Sequence, residues 1–217
     1  MKIAVDGPAG AGKSTIAKAI AKKLHINYLD TGAMYRTCAY ALISRGIDVC
    51  DVQAVLSALP ALDIRVEYLN QEQRMLLDGI DVSDRIRTQE IAKGASDVAV
   101  IPEVRKMLVA MQRDVAKRYD IIMDGRDIGT YVLPDADYKF YITASSAERA
   151  RRRYLEMQSP EISLQQLEQE IIARDRNDMQ REFAPLRQAE DAILVDTTSM
   201  NIEEVVAFVL NAIKIHE

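Results

Sequence analysis

Apolar residues along this chain recur with two alternating periods. Lys2-Ile3-Ala4-Val5-Asp6 is a short apolar run bounded by charge, the pattern of a buried strand. Ile16, Ala17, Ile20, Ala21 and Leu24 then repeat at helical spacing. The pattern predicts a strand over 2–6, a helix over 13–24, a short strand over 27–30 and a helix over 32–45. Apolar runs at 120–124, 138–142 and 192–196 predict further strands. Helical sets separate them: Val104, Met107, Leu108, Met111 and Val115 in one, and Leu164, Leu167, Ile171 and Ile172 in another. A last helix fits 201–215. Strands alternating with helices imply a parallel sheet covered on both faces. Ligands of such sheets bind outside the carboxyl ends of the strands.

One segment departs from this rhythm. Leu62, Ile64, Val66 and Tyr68 alternate with Asp63, Arg65 and Glu67, which is period two. Asn70-Gln71 turns the chain, Met75-Leu76-Leu77 runs back to Asp78-Gly79, and Ile80 and Val82 follow. This predicts a small antiparallel meander inserted at about 60–87 in the α/β core.

Within that frame, residues 7–15 carry the strongest chemistry. Gly7-Pro8-Ala9-Gly10-Ala11-Gly12-Lys13-Ser14-Thr15 fits G-x-x-x-x-G-K-[ST] between a predicted strand and a predicted helix. Glycines let such a loop wrap closely round an anion. Backbone N–H groups of the loop and the helix start point at phosphate oxygens. Lys13 can reach the β/γ-phosphates and the Ser14 hydroxyl can bind Mg²⁺. A glycine-rich turn that binds nothing is the bland alternative, and the strand–loop–helix context argues against it.

Asp124 closes the apolar strand Ile121-Ile122-Met123 and is followed by Gly125, Arg126 and Asp127. A carboxylate there suits a Walker-B role, holding Mg²⁺ directly or through water, with Arg126 beside the same pocket. Arginines outnumber lysines 18 to 10, and arginine is the better bidentate phosphate ligand. Arg149, Arg152 and Arg153 lie three and four residues apart, and Arg174, Asp178 and Arg181 share one helical face. The Pro-containing break Glu156–Glu161 separates the two groups. Helix, break and helix with arginines on both arms is what a lid closing over phosphates needs. A solvated, salt-bridged helix pair with Glu148, Glu168 and Asp175 is the alternative.

Composition narrows the class without changing it. A chain of 217 residues suits one large domain with a real core. Its net charge of −5 disfavours non-specific binding to nucleic acid or anionic membrane. Cys38 and Cys50 form no metal or disulfide pattern, and His25 and His216 have no ligand-spaced neighbour. With no secretory signal and no 18-residue apolar run, the chain reads as cytoplasmic.

The P-loop, Leu29-Asp-Thr-Gly-Ala-Met-Tyr-Arg36, Ile86-Arg-Thr-Gln-Glu90, Asp124-Gly-Arg-Asp-Ile-Gly-Thr130 and Ala144-Ser-Ser-Ala-Glu-Arg149 together resemble the bacterial cytidylate kinases. Ala173-Arg-Asp-Arg-Asn-Asp178 and Ala184-Pro-Leu186 extend the resemblance, which runs from residue 2 to about 210. It implies a P-loop NTPase three-layer α/β fold with a five-stranded parallel sheet, a monophosphate-binding insert and a helical lid. On this chain the resemblance puts the core at about 1–59, 88–150 and 185–217, the insert at about 60–87 and the lid at about 151–180.

The resemblance implies transfer of the ATP γ-phosphoryl group to CMP or dCMP, in pyrimidine nucleotide metabolism. It implies catalytic roles for Lys13, Arg126, Arg153 and Arg174. ATP would be held by residues 7–15 with Arg149 near the adenine and Arg153 near the phosphates. CMP would be held by Thr31, Arg36, Ser96, Arg105, Arg126, Asp127, Arg174, Asp178 and Arg181. Of these, Arg36 and Arg126 match residues at the acceptor phosphate, and Asp178 one at the ribose. Ser96, Arg105, Asp127 and Arg181 match residues round the cytosine. A carboxylate suits the cytosine amine, while uracil would turn a carbonyl towards it. Mg²⁺ would sit on Ser14 and, through water, on Asp124. A monomer is expected, with no nucleic-acid or membrane partner. The chain departs from the pattern at Tyr131, where a small β-branched residue is expected, and its lid segment is about two residues shorter than in some relatives.

Other readings use the same P-loop. One is a small kinase acting on UMP, AMP, GMP or a non-nucleotide metabolite, which the acceptor-side residues would decide. Another is a nucleotide-dependent switch, which would need a guanine-reading N-K-x-D motif; the chain has none.

Overall fold

The protein is described by a computed structural model, over residues 1–157 and 162–214. Eight strands and eight α-helices follow one another as β1 (Lys2–Asp6), α1 (Lys13–Leu24), β2 (Asn27–Asp30), α2 (Thr31–Ser44), α3 (Val52–Ala58), β3 (Ile64–Leu69), β4 (Glu72–Leu77), β5 (Ile80–Asp81), α4 (Gln89–Val98), α5 (Pro102–Arg118), β6 (Ile121–Gly125), β7 (Tyr138–Thr143), α6 (Ser146–Glu156), α7 (Leu164–Gln180), β8 (Ile193–Asp196) and α8 (Ile202–Lys214) among the described residues. Five strands form one sheet in the order β2-β6-β1-β7-β8, and β3-β4-β5 form a second. No helix among the described residues is long and apolar enough to cross a membrane. Part of the expected break between the lid helices, residues 158–161, and the last residue of the expected helix over 201–215 lie outside the described residues.

The chain divides into two compact units. The first comprises Met1–Ile26 and Ile121–Glu217. β1 runs parallel to both β6 and β7, and Ile3, Ala4 and Val5 are fully buried. A central strand covered on both faces reads as a continuous apolar run, which is why the sequence marks it so clearly. Register aligns the carboxyl ends: Val5 lies opposite Asp124, and Asp6 opposite both Gly125 and Tyr141. Gly7 leaves β1 at φ 144, where an added Cβ would lie 1.9 Å from the Ile142 carbonyl oxygen, so the first P-loop position admits only glycine. In α6, Ser145 accepts the Glu148 amide as N-cap, and α7 opens with a Ser163–Gln166 capping box. Ala150, Leu167 and Ile171 form a small buried cluster between these two helices, covered by Tyr154, Met157 and Ile162.

The second unit is Asn27–Asp120. Asp30 caps α2 by accepting the Ala33 amide, which starts the helix one residue before the expected position 32. The predicted meander is the antiparallel sheet of β3, β4 and β5. Asn70 and Gln71 both have positive φ, 52° and 66°, as do Asp78 and Gly79, 53° and 78°. Positive φ at both central residues of a two-residue loop is the turn that matches strand twist. α3 and α4 are not among the helices that the spacing predicts. α3 has seven residues, and the apolar face of α4 is built from Ile91, Gly94, Ala95 and Val98, half of them too small to mark a period. Gly94 earns its place by contact: a Cβ there would meet Ile43 and Ala39 of α2 at 3.0 and 3.3 Å.

Candidate active site

In the first unit, the loop 7–12 joins the end of β1 to the start of α1, the arrangement expected of a phosphate cradle. Gly10 and Gly12 take φ 74° and 84°, conformations that cost a side chain strain and glycine little. Lys13 folds back over the loop: its Nζ donates to the Pro8 carbonyl at 2.6 Å, and the residue is only 6% exposed. Burial, and then the nearby Arg126 guanidinium, push the Lys13 ammonium down to about 7, against the pull of Asp124 and Asp6. An anion arriving in the loop would supply the countercharge that this lysine lacks.

Ser14 Oγ donates to Asp124 Oδ2 at 2.7 Å. This brings the P-loop hydroxyl and the acidic strand end together, as the sequence predicts. A hydroxyl beside a carboxylate is an all-oxygen donor pair that suits a hard divalent cation completed by water and phosphate. No group of three or more His, Cys, Asp or Glu among the described residues could hold a metal without such help.

Behind Asp124 lies an ordered set of ion pairs. Arg126 Nε donates to Asp178 Oδ2 at 2.8 Å, and Arg126 Nη1 to the Gly125 carbonyl at 3.2 Å. Burial works to raise the Asp178 carboxyl, but Arg126, with Arg181 and Arg174, outweighs it and holds Asp178 below the usual carboxylate range. Arg181 Nη2 donates to Asp127 Oδ1 at 3.2 Å and Arg181 Nε to the Ala184 carbonyl at 2.6 Å. Arg126, Asp127, Asp178 and Arg181 thus form one group in this unit. Arg153 on α6 and Arg174 on α7 are half-buried. Arg149 is directed at protein: Nε donates to the Ala144 carbonyl at 2.9 Å, Nη1 to the P-loop carbonyl of Ala9 at 2.9 Å, and Nη2 to Asp175 Oδ2 at 2.6 Å. Tyr131, the departure from the family pattern, packs its ring edge-on against Phe183, with centroids 4.9 Å apart.

The remaining expected residues gather in the second unit. Thr31 opens α2 and is buried. Arg36, one turn on, donates from Nη2 to Asp30 Oδ2 at 2.8 Å. Gln73 of β4 clamps the same Asp30 by its main chain, accepting its amide at 2.7 Å and donating to its carbonyl at 3.3 Å. Ser96 on α4 donates to the Ala92 carbonyl at 3.3 Å. Arg105 on α5 is 1% exposed, lies 5.6 Å from the Tyr35 ring centre and donates to the Ala99 carbonyl at 3.4 Å. Burying a guanidinium so deeply is costly unless its partners are fixed, and the stacked tyrosine is one of them.

Two further residues of this unit, Asp6 and Arg152, make long-range contacts. Asp6, at the end of β1, accepts the Ile128 and Gly129 amides at 2.7 Å each. Arg152 donates to Thr197 through Nη1 at 3.1 Å and Nη2 at 2.6 Å, and to Glu148 at 2.9 Å. Arg152 was legible as part of an arginine cluster, whereas Asp6 reads as the polar end of a strand. Neither pattern announces a partner that is distant in sequence.

The family model described as cytidylate kinase matches residues 3–215. The chain is 51% identical to a cytidylate kinase of Caldicellulosiruptor saccharolyticus over 97% of this chain and 94% of that protein. It is 48% identical to one of Alkaliphilus oremlandii, over 99% and 98%. Among solved structures, a gluconokinase from Sinorhizobium meliloti shares 15% identity over 97% of this chain and 89% of its own, with a TM-score of 0.51. A shikimate kinase from Acinetobacter baumannii in complex with shikimate shares 14% over 100% and 94%, also at 0.51. At these identities the two structures speak for a shared P-loop kinase fold and no more. The sequence matches reach further, since they span nearly all of both partners at about half identity: this chain belongs to the cytidylate kinase family.

Proposed function

We propose that this protein transfers the γ-phosphoryl group of ATP to CMP or dCMP, giving ADP and CDP or dCDP. The observation that carries this reading is the full-length similarity to cytidylate kinases. The oxygen of the acceptor phosphate is the nucleophile, so no side chain need form a covalent intermediate. Catalysis is then positioning and charge stabilisation.

Residues 7–15 hold ATP, and Lys13, whose ammonium burial disfavours, takes up its full charge against the β/γ-phosphates. Arg149 supports the ATP site by bracing the Ala9 carbonyl. Arg36 and Arg126 orient the acceptor phosphate, with Thr31 alongside. Arg153 and Arg174 spread the charge that develops during transfer, and the lid over about 151–180 excludes water. Asp178 binds the ribose. Asp127 accepts from the cytosine amine, with Ser96, Arg105 and Arg181 completing the base site. The Asp127–Arg181 contact supports this role, since the arginine holds the carboxylate in place as an acceptor. The insert over about 60–87 frames the monophosphate side and the core takes the remaining residues, about 1–59, 88–150 and 185–217.

Kinases that use ATP need a divalent cation in general, and we assign Mg²⁺ to Ser14 and, through water, to Asp124. When bound, Mg²⁺ neutralises charge on the transferring phosphates. The protein is expected to act as a cytoplasmic monomer, without nucleic-acid or membrane partners.

A coupled ADP-release assay with ATP and Mg²⁺ tests the reading, comparing CMP, dCMP, UMP, AMP and GMP at equal concentration. CMP and dCMP should lead and UMP trail far behind. Asp127→Ala should narrow the CMP/UMP ratio of kcat/KM by about tenfold or more, as loss of a charge-assisted hydrogen bond implies, with KM for ATP little changed. Activity led by another monophosphate would retain the kinase and discard the cytosine roles.

A further inference from the structure

Asp6 sits where the chain leaves β1 for the P-loop, 4% exposed, and its two carboxylate oxygens face two different amides. Oδ1 accepts Ile128 N–H and Oδ2 accepts Gly129 N–H, both at 2.7 Å. These amides open a single π-helical turn, Ile128–Val132, that follows Asp127 directly. The far end of that turn closes on Asp127 itself, whose carbonyl accepts Tyr131 N–H at 2.9 Å and Val132 N–H at 3.0 Å. Helical turns leave their first amides without an internal partner, and a side chain at the cap position usually supplies one. Here Asp127, at the cap, makes no such bond. Its side chain is directed instead to Arg181, and the capping is done by Asp6 from another strand. A wide π-turn placed beside a functional residue is a costly local choice and needs such external support.

Gly129 packs closely in this contact: a Cβ there would crowd Lys139 Cδ at 3.1 Å and touch Asp6 Oδ2 at 3.4 Å. Burial pushes the Asp6 carboxyl up to about 7 and Asp127 adds to the rise, while the Gly129 and Ile128 amides and Lys13 favour its ionised form. The carboxylate therefore links the strand that carries the ATP loop to the turn that presents Asp127.

We propose that Asp6 is a positioning residue for the acceptor base: by capping the Ile128 and Gly129 amides it fixes where Asp127 lies, and so controls discrimination between cytosine and uracil without touching either. This rests on the reading of Asp127 as the carboxylate that faces cytosine. An ionised carboxylate is the group that can accept both amides; an asparagine offers one acceptor and turns its NH₂ towards the other N–H.

The test compares Asp6→Asn, Gly129→Ala and Asp127→Ala with the unaltered protein. It measures kcat and KM for CMP, UMP and ATP, thermal midpoints, and the amide proton shifts of residues 128 and 129. Asp6→Asn should lower the CMP/UMP ratio of kcat/KM about tenfold, the scale of one charge-assisted hydrogen bond, mostly through KM for CMP. KM for ATP should stay within about twofold on the same scale, and both amide protons should move upfield. If Asp6→Asn does not fold, Gly129→Ala carries the test and should move the ratio in the same direction. An unchanged ratio in both variants, while Asp127→Ala narrows it, would overturn the role of Asp6 and leave the cytosine reading standing. Equal loss in KM for ATP and CMP would make Asp6 a general brace and also overturn it. An unchanged ratio in Asp127→Ala would sink the cytosine reading, and the Asp6 proposal with it.

Discussion

Lys13 occupies surroundings that resist its own charge. Burial and Arg126 lower its pKa to about 7 from the usual value near 10.5. In the folded, nucleotide-free protein it binds fewer protons than in the unfolded chain between those two values. Its contribution to stability therefore increases as pH rises from about 7 towards 10.5, and is lost below that window. A bound triphosphate reverses the balance by favouring the charged form. ATP binding at pH 8 should take up close to about one proton, by the same linkage. Calorimetric titration in two buffers of different ionisation enthalpy reads this directly, and Lys13→Met should abolish the uptake. The same variant should cut turnover at least about a hundredfold, comparable to losing one preorganised oxyanion donor. Near-normal turnover in folded Lys13→Met protein would remove Lys13 from the donor site. The lysine and serine of this site were legible because the motif states their spacing, and Asp124 because it closes an apolar strand. Asp6 was not, because a strand-ending carboxylate looks alike whether it faces solvent or caps a distant turn.

At the scale of elements, the arginine-bearing helices α6 and α7 depend on a very small core. Leu167 and Ile171 of α7 pack on Ala150 of α6, with Tyr154, Met157 and Ile162 around them. Two polar contacts join the same helices, Arg149 to Asp175 at 2.6 Å and Ser146 to Glu168 at 2.7 Å, so apolar contact and charge hold the pair together. Leu167→Ala should cost about 2–4 kcal/mol, a transfer loss plus a cavity. The loss should appear first as faster hydrogen exchange across α6 and α7, with the amides of β1, β6 and β7 still protected. KM for ATP should rise before kcat falls. Uniform loss of protection would show that α6 and α7 unfold only with the sheet. Amphipathic spacing identified α7, and arginine spacing identified α6. α4 stayed hidden because Gly94 and Ala95 mark its packed face with small residues that carry little hydrophobic signal.

For the whole molecule, binding and stability are linked. A ligand at a hundred times its Kd adds about 2.7 kcal/mol to the folded state. For a chain of this size that corresponds to a rise in Tm of about 5–10 °C. ATP with Mg²⁺, and separately CMP, should each produce such a shift, whereas UMP at the same concentration should produce a much smaller one. Equal shifts with CMP and UMP would place base discrimination in the chemical step instead of in binding. Sedimentation should give a single species of 24.4 kDa if the protein acts as the monomer expected.

The strands, every helix except α3 and α4, and the P-loop follow from the sequence alone. Each is written in contiguous residues: an apolar run, a helical period, a fixed spacing of glycine, lysine and serine. The antiparallel meander was legible for the same reason, since its alternation and its two turns lie within about twenty residues. Tertiary structure decided the partners. That Ser14 meets Asp124, that Arg126 pairs with Asp178 and Arg181 with Asp127, and that Asp6 caps the turn at Ile128 depend on chain segments brought together from far apart. A side chain's chemistry is set by what surrounds it, and burial, countercharge and register exist only once the sheet has formed.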